Sequence, residues 1–318
     1  MSAPREVSIG TPLLAAVHPP PTTLSSMHQP PSIAVVVWIS EHPTGIADSP
    51  TRVEGQSVRP DEVMLALGRG GRESSGVDMV ALAREHDIVA FTSDRMSLDP
   101  QWLERLLKTF EQTTAAAVGG PVRHRCTGSS PADPVGPSML LADGRTAPAF
   151  VSQSSAPVAV DLLSPENMAI RTTDLGTLDH VGRARSARDA AALVLRMHKK
   201  GLTVVCAPEA TAVLEDSDGE SDAGSTAHGH YHRVREHTWL LVSGLGARDV
   251  HVWRYGAAVL RFGFHELTGA LGGYRTRRPQ RTMGRLAAAS LRAARALLGY
   301  VVALSTTLPV VRKAGGQG

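Results

Sequence analysis

The stretch IAVVVWIS, starting at Ile33, constrains this chain more than any other. It is rich in β-branched residues, has no polar interruption before Ser40, and meets a proline at Pro43. Such a run reads as a buried strand. Three more candidates follow: DEVMLAL (Asp61–Leu67), DIVAF (Asp87–Phe91) and AAAVGGPV (Ala115–Val122). Between the last two, Asp99 suits a helix N-cap and Pro100 the first helical position. Leu103, Leu106, Leu107 and Phe110 then fall on one helical face, with Trp102 and Leu103 expected in the core. Strand, loop, strand, helix, strand in this order predicts an α/β fold, its sheet mostly parallel and flanked by helices. Between Ser40 and Asp61 three prolines and two glycines leave no convincing helical period.

The second half continues the pattern less regularly. Residues 123–157 are rich in Gly, Pro and Ser and show no clear period. A helix is expected around Ala187–Lys200, with Ala190, Leu193 and Met197 on its apolar side and Gly201 as its stop. LTVVCAP (Leu202–Pro208) reads as another buried strand, and the acidic EDSDGESDAGS as a flexible insertion. Residues 1–31 contain HPPPTTLSSMHQPP and are expected to be a disordered leader. Residues 32–230 form the α/β domain and 231–318 a basic helical tail.

Charge separates the tail from the rest. Residues 231–318 carry 14 Lys/Arg against 3 Asp/Glu, a net of +11, whereas residues 1–230 carry 19 against 27, a net of −8. The tail is suited to an anionic membrane face; no recognition-module motif accompanies the charge, so no nucleic acid is expected. Leu286, Leu291, Ala294, Leu297, Leu298, Val301 and Val302 share an apolar face, opposite Arg285, Arg292 and Arg295. The apolar run after Arg295 is about 16 residues, short of the roughly 20 that cross a bilayer. An interfacial helix or a terminal helix packed on the domain fits that length. Trp239, Trp253 and Tyr255 lie among arginines and suit a membrane interface. The two cysteines, Cys126 and Cys206, make no disulfide framework, and no signal peptide opens the chain. A cytoplasmic setting, peripheral on the membrane, is the expectation.

In order and content, four stretches resemble the family 2 glycosyltransferases: PSIAVVVWIS; QSVRPDEVMLALGRG; DIVAFTSDRMSLDPQWLERLLKTFEQTTAAAVGGPV; and SPENMAIRTTDLGTLDHVG with RDAAALVLRMHKKGLTVVCAPEATAVLE. The third is the most specific. The resemblance implies a nucleotide-diphospho-sugar transferase fold. It also implies inverting transfer of a sugar from a nucleotide-diphosphate donor to the hydroxyl of a glycan, lipid-linked or small-molecule acceptor.

The same resemblance assigns roles and exposes departures. The strand end that normally supplies an acid to the donor reads Leu67-Gly68. The metal motif, often three aspartates, reads Ser93-Asp94-Arg95, so only the middle acid remains to hold a divalent cation, Mg or Mn. Arg95 offers another source of positive charge for the diphosphate, with Asp94 orienting it. The alternative is an ordinary Asp94–Arg95 surface pair worth about 0–1 kcal/mol. The general base normally sits in a Glu-Asp pair opening a helix; here that stretch is Arg188-Asp189-Ala190-Ala191. Asp189 serves as base if the register moves by one residue, with Arg188 beside the donor; otherwise the base is missing. Asn167, in the acceptor loop, contacts donor sugar or phosphate, or packs.

In AHGHYHRVREH, His230 or His232 is a candidate further metal contact after the last strand, weighed against a solvated histidine run with His228 and His237. GRGGRESSG (Gly68–Gly76) lacks the ending of a phosphate loop and reads as a flexible turn. Two other functions remain open: a catalytically inactive homologue acting as a scaffold or binding surface, and a peripheral membrane protein acting through its basic helices.

Overall fold

The computed structural model describes residues 30–40, 52–67, 76–124, 137–149, 154–179, 181–215, 227–272, 290–291 and 293–305. In chain order the strands are β1 (Ile33–Ile39), β2 (Glu62–Leu67), β3 (Val77–Asp78), β4 (Ile88–Ser93), β5 (Met96–Leu98), β6 (Ala117–Gly119), β7 (Val122–His124), β8 (Ser138–Leu140), β9 (Thr146–Pro148), β10 (Val158–Ala159), β11 (Met168–Arg171), β12 (Arg183–Ala184), β13 (Val204–Cys206) and β14 (Ala212–Leu214). The helices are α1 (Met79–Glu85), α2 (Trp102–Gln112), α3 (Thr172–Leu175), α4 (Ala187–Lys199), α5 (Ala227–Leu245) and α6 (Val250–Gly272). A further helical stretch runs over 293–305.

The main sheet has seven strands in the order β10-β13-β6-β11-β4-β1-β2. β1 is parallel to β2 and β4, and β13 is parallel to β6. β11 is antiparallel to both β4 and β6, and β10 is antiparallel to β13. β1, β2, β4, β6 and β13 therefore point the same way, which makes the sheet mainly parallel as the sequence predicts.

All seven residues of β1 are buried, because the pleat divides them between two covered faces. Ala34, Val36 and Trp38 join Phe91, Met168 and Leu193 in one core, beneath α1 and α4. Ile33, Val35, Val37 and Ile39 join Trp102, Leu106 and Phe110 in the other, beneath α2. Each buried aliphatic side chain contributes about 1.5–3 kcal/mol of transfer free energy. The result is a helix–sheet–helix sandwich.

Several local expectations shift. α2 begins at Trp102, not at Pro100. Asp99 caps a preceding turn instead, its Oδ1 accepting from Gln101 N at 2.9 Å and its carbonyl from Trp102 N. The stretch Ala115–Val122 is two strands in two sheets, because Gly120-Pro121 breaks the ladder. β6 stays in the main sheet, while β7 joins a small sheet ordered β5-β14-β7. Residues 52–54 make a helical turn whose Val53 is buried, within the segment expected to lack one. A short hairpin, β8–β9, lies in the Gly/Pro/Ser-rich region. The leader to residue 29, Cys126, Gly68–Ser75 and Leu286 lie outside the described residues.

The helical part is docked onto the sandwich. The expected boundary at residue 230 falls within α5, which packs along α4. Gly244 permits the approach: a Cβ there would lie 2.6 Å from Leu195 Cδ2. Leu195, Leu241, Val242, Val252, Tyr255 and Tyr300 form a third core between these helices. Lys199 Nζ, at the end of α4, donates to the Leu245 carbonyl and pairs with Asp249 at 3.2 Å. Burial opposes the Asp249 charge, but hydrogen bonds from His251 and Lys199 overcome it and hold its carboxyl below the usual range. Tyr255, expected at a membrane interface, is buried in this core against His237, ring centroids 4.5 Å apart. Cys206 is also buried, which pushes its thiol pKa up and keeps it protonated.

Candidate functional site

In an open α/β sheet the carboxyl ends of parallel strands gather the loops that hold ligands. Here that edge receives the ends of β1, β2, β4, β6 and β13. It also receives the starts of elements that run back across the sheet. α1 begins there, capped by Asp78, whose Oδ1 accepts from Val80 N and Ala81 N. α4 begins there as well: β12, just before it, pairs with β3, and α4 then leads to the start of β13. Asp94 and Asp189 thus come from one edge of the fold.

Asp94 follows the last residue of β4 and is 4% exposed. Its backbone N donates to Trp38 O at 3.0 Å. Its Oδ2 accepts from Ser40 N at 3.1 Å and Ser40 Oγ at 2.9 Å. Ser40 was not singled out in the sequence, although it is the first polar residue after the β1 run. The other oxygen, Oδ1, is buried and has no partner among the described residues; the same holds for Ser93 Oγ, Thr92 Oγ1 and Trp38 Nε1. Arg95 is half-buried beside them, and its carbonyl accepts from Glu215 N at 2.9 Å. Glu215 follows β14 and is a second carboxylate at this turn that the sequence reading passed over.

Asn167 is a brace, not a ligand contact. It is fully buried. Its Oδ1 accepts from Trp102 Nε1 at 2.7 Å, and its Nδ2 donates to Pro121 O at 3.0 Å and Ala210 O at 2.9 Å. Both amide hydrogens are used, so none remains for a sugar or phosphate. The three partners tie α2, the β6–β7 break and the β13–β14 loop into one floor. Gly120 belongs to that floor, because a Cβ there would sit 1.8 Å from Ala210 O.

Asp189 occupies the third position of α4 and closes a capping box with Ser186. Its Oδ2 accepts from Arg185 N at 2.8 Å and Ser186 Oγ at 3.1 Å, while Ser186 Oγ accepts from Asp189 N at 3.4 Å. It is half-buried at the edge. Arg188 pairs with α5: its Nη2 donates to Glu236 Oε1 at 2.7 Å, with both side chains well exposed. Such a pair is worth about 0–1 kcal/mol.

The residues at Ser93-Asp94-Arg95 are a poor fit to a divalent cation. Mg or Mn asks for oxygen ligands, at least one or two carboxylates besides phosphate, and here Asp94 offers one carboxylate oxygen without a partner among the described residues, flanked in sequence by a serine and an arginine. Among the described residues the three-ligand cluster of His and acidic groups is Glu62, Glu85 and His86, at the opposite edge of the sheet. His230 and His232 lie on α5, but their side chains fall outside the described residues. Two cavities also lie away from the carboxyl edge. One of about 520 Å³ is lined by Arg145, Val234, Tyr255, Val259 and Phe262; another of about 540 Å³ is lined by Glu54, Arg59, Asp61 and Val63. Neither touches Asp94 or Asp189. The orphaned polar atoms mark the site better than cavity size does.

Fold and edge together define a mixed α/β domain with an acidic turn and a capped helix start at the carboxyl edge of its sheet. Two solved glycosyltransferases have partly similar structures. GalNAc-T7, determined with UDP, GalNAc and Mn2+, has a TM-score of 0.44 and 9% identity over 76% of this chain; the chain spans about half of its length, 51%. The mannosyltransferase PcManGT from Pyrobaculum calidifontis, in complex with GDP-Man and Mn2+, has a TM-score of 0.42 and 14% identity, covering 89% of this chain and 90% of its own. No functional residue is carried over from either. No protein-family model matches the sequence, and no curated protein does.

Proposed function

We propose that the chain transfers a sugar from a nucleoside diphosphate donor to an acceptor hydroxyl at this edge, with inversion. The observation that supports it most is a set of four buried polar atoms without a partner among the described residues, on Trp38 in β1 and on Thr92, Ser93 and Asp94 at the end of β4. Buried polar groups are nearly always paired, and each left unpaired costs about 1–3 kcal/mol. Folding alone does not reward four at two neighbouring strand ends; a polar ligand does. The sequence resemblance, carried by the same turn, supplies the class of ligand.

The chemistry assigned to the residues is a single displacement. The Asp189 carboxylate takes the proton of the acceptor hydroxyl. The acceptor oxygen then forms a bond to the anomeric carbon as the bond from that carbon to the diphosphate oxygen breaks. Arg95 meets the charge of the departing diphosphate, and Asp94 orients the donor through its free oxygen. No step is routed through a metal ion.

Calorimetry with a panel of nucleotide sugars, with and without EDTA, tests this reading together with turnover of the bound donor. The expected result is donor binding that survives EDTA, is lost in Asp94→Asn, and persists in Asp189→Asn while turnover falls by two to four orders of magnitude. Absence of donor binding at millimolar ligand overturns the proposal.

A second reading, a donor-binding protein without turnover, is favoured by two observations. Asp189 Oδ2 already serves the helix cap, and Leu67, 67% exposed, stands at a strand end where the resemblance implies an acid. Donor binding with no turnover in the unaltered protein, at any metal concentration, selects it.

A further inference from the structure

α6 has two different long faces. Val252, Tyr255 and Val259 point inward to the third core. Gly256 lets the 293–305 helix press against that side: a Cβ there would lie 2.4 Å from the Tyr300 ring, and Tyr300 OH donates to Val252 O at 3.2 Å. The opposite side carries Val250, Trp253, Leu260 and Phe264, which are 49%, 60%, 57% and 71% exposed. Their spacing, with Ala257, is the three-and-four alternation of one helical stripe. Arg254, Arg261 and His265 run beside it, all exposed. The 293–305 helix repeats the design: Ala296, Tyr300 and Ala303 are buried, while Leu297, Leu298 and Val301 are exposed.

A soluble surface does not normally keep a row of large apolar side chains in water. We propose that this face lies on an anionic lipid surface, with Trp253, Leu260 and Phe264 inserted among the acyl chains and Arg254 and Arg261 at the phosphates. Three observations select this occupant. Residues 231–318 carry a net charge of +11, and Glu266 is the one acid in Val250–Gly272. A second copy of the chain would bring the same positive charge to the same face, which repels it. No helix among the described residues is long and apolar enough to cross a membrane, so the helices lie along the surface. The sequence leaves residues 285–302 as an interfacial helix or a terminal helix packed on the domain; the 293–305 helix packs on one side and is exposed on the other, and α6 adds the larger part of the face. This inference does not rest on the transferase proposal, because donor binding plays no part in its test.

Flotation of the full chain with vesicles of phosphatidylcholine, alone or mixed with phosphatidylglycerol, is the measurement. The chain is expected to float with the mixed vesicles and to be released by high salt. The pair Arg254→Gln and Arg261→Gln should lower partitioning into anionic vesicles about 25-fold, at roughly fivefold per arginine. The pair Trp253→Ser and Phe264→Ser should lower it by at least about tenfold. Leu67→Ser, on the exposed edge of β2, should change nothing. All the altered residues are exposed, and unchanged circular dichroism melts confirm folding. Failure of the folded chain to float with anionic vesicles, or flotation of the Trp253/Phe264 variant equal to that of the unaltered chain, overturns the proposal. So does a concentration-dependent dimer that Trp253→Ser dissociates, since that assigns the face to a second copy.

Discussion

The two edges of the main sheet are built from similar residues and finished differently. At the amino edge Asp87 Oδ2 accepts from Ser32 N at 2.8 Å and Ser32 Oγ at 2.9 Å, and Asp61 Oδ2 accepts from Ile33 N at 2.7 Å. Arg171 donates to the Phe110 and Ala115 carbonyls and lies 5.1 Å over the Phe110 ring. His86 Nδ1 is the buried atom left over there among the described residues. At the carboxyl edge, among the described residues, Asp94 is half satisfied, and Trp38, Thr92 and Ser93 each leave a buried polar atom unpaired. The same resource, an acid at a strand end, closes the structure in one place and is held open in the other. Stability explains the first edge; the proposed donor site is what would explain the second.

Substitutions can break that contrast, beginning with the floor under the open edge. Gly120→Ala should cost about 4 kcal/mol or more, because the new methyl meets a carbonyl in the backbone and not a flexible side chain. Denaturant unfolding should show a chain that is largely unfolded or barely stable. Asn167→Ala strands the Trp102 indole N–H and two carbonyls, and should cost about 3 kcal/mol in the same measurement.

A matched pair sharpens the comparison. Asp87→Asn should lower stability by about 1 kcal/mol and leave donor affinity alone. Asp94→Asn keeps an oxygen for Ser40, should alter stability by less than about 1 kcal/mol, and should abolish donor binding in calorimetry. Equal effects of the two on binding would erase the distinction between the edges. The smallest effect is a pH dependence. Backbone and side-chain hydrogen bonds from Ser32 hold Asp87 below its ordinary value of 3.8. The stability this gives is complete above pH 3.8 and is lost as pH falls through the lower folded-state value. Because Asp87 is largely exposed the slope is shallow, and Asp87→Asn should remove it from an acid-denaturation curve.

The sheet could be read because its strands are short apolar runs whose burial is written locally. β1, β4 and β13 needed nothing but their own residues to be recognised. The division of β6 from β7 was signalled by Gly120-Pro121, yet which sheet each joined depended on β14, about ninety residues later. Asn167 shows the limit more clearly. Its partners lie 65, 46 and 43 positions away, so the sequence left an asparagine in a loop open between packing and a ligand contact, and only the fold shows the cross-brace it makes. Asp189 carried both readings from the start, since a serine three residues before an acid at a helix start is a capping signature in its own right. Tyr255 had the composition of an interface residue, and only the packing of α5, α6 and the 293–305 helix placed it indoors.

The central position of β11 also governs how the molecule is made. It pairs with β4 on one side and β6 on the other, although both precede it by about fifty residues or more. Until Arg171 has left the ribosome, the nascent chain carries two naked strand borders with nothing to zip between them, an invitation to mispairing. Joining β4 to β6 therefore waits on a single late-arriving segment, with β13 still to follow, and fragments ending before Met168 should aggregate where the whole chain remains dispersed.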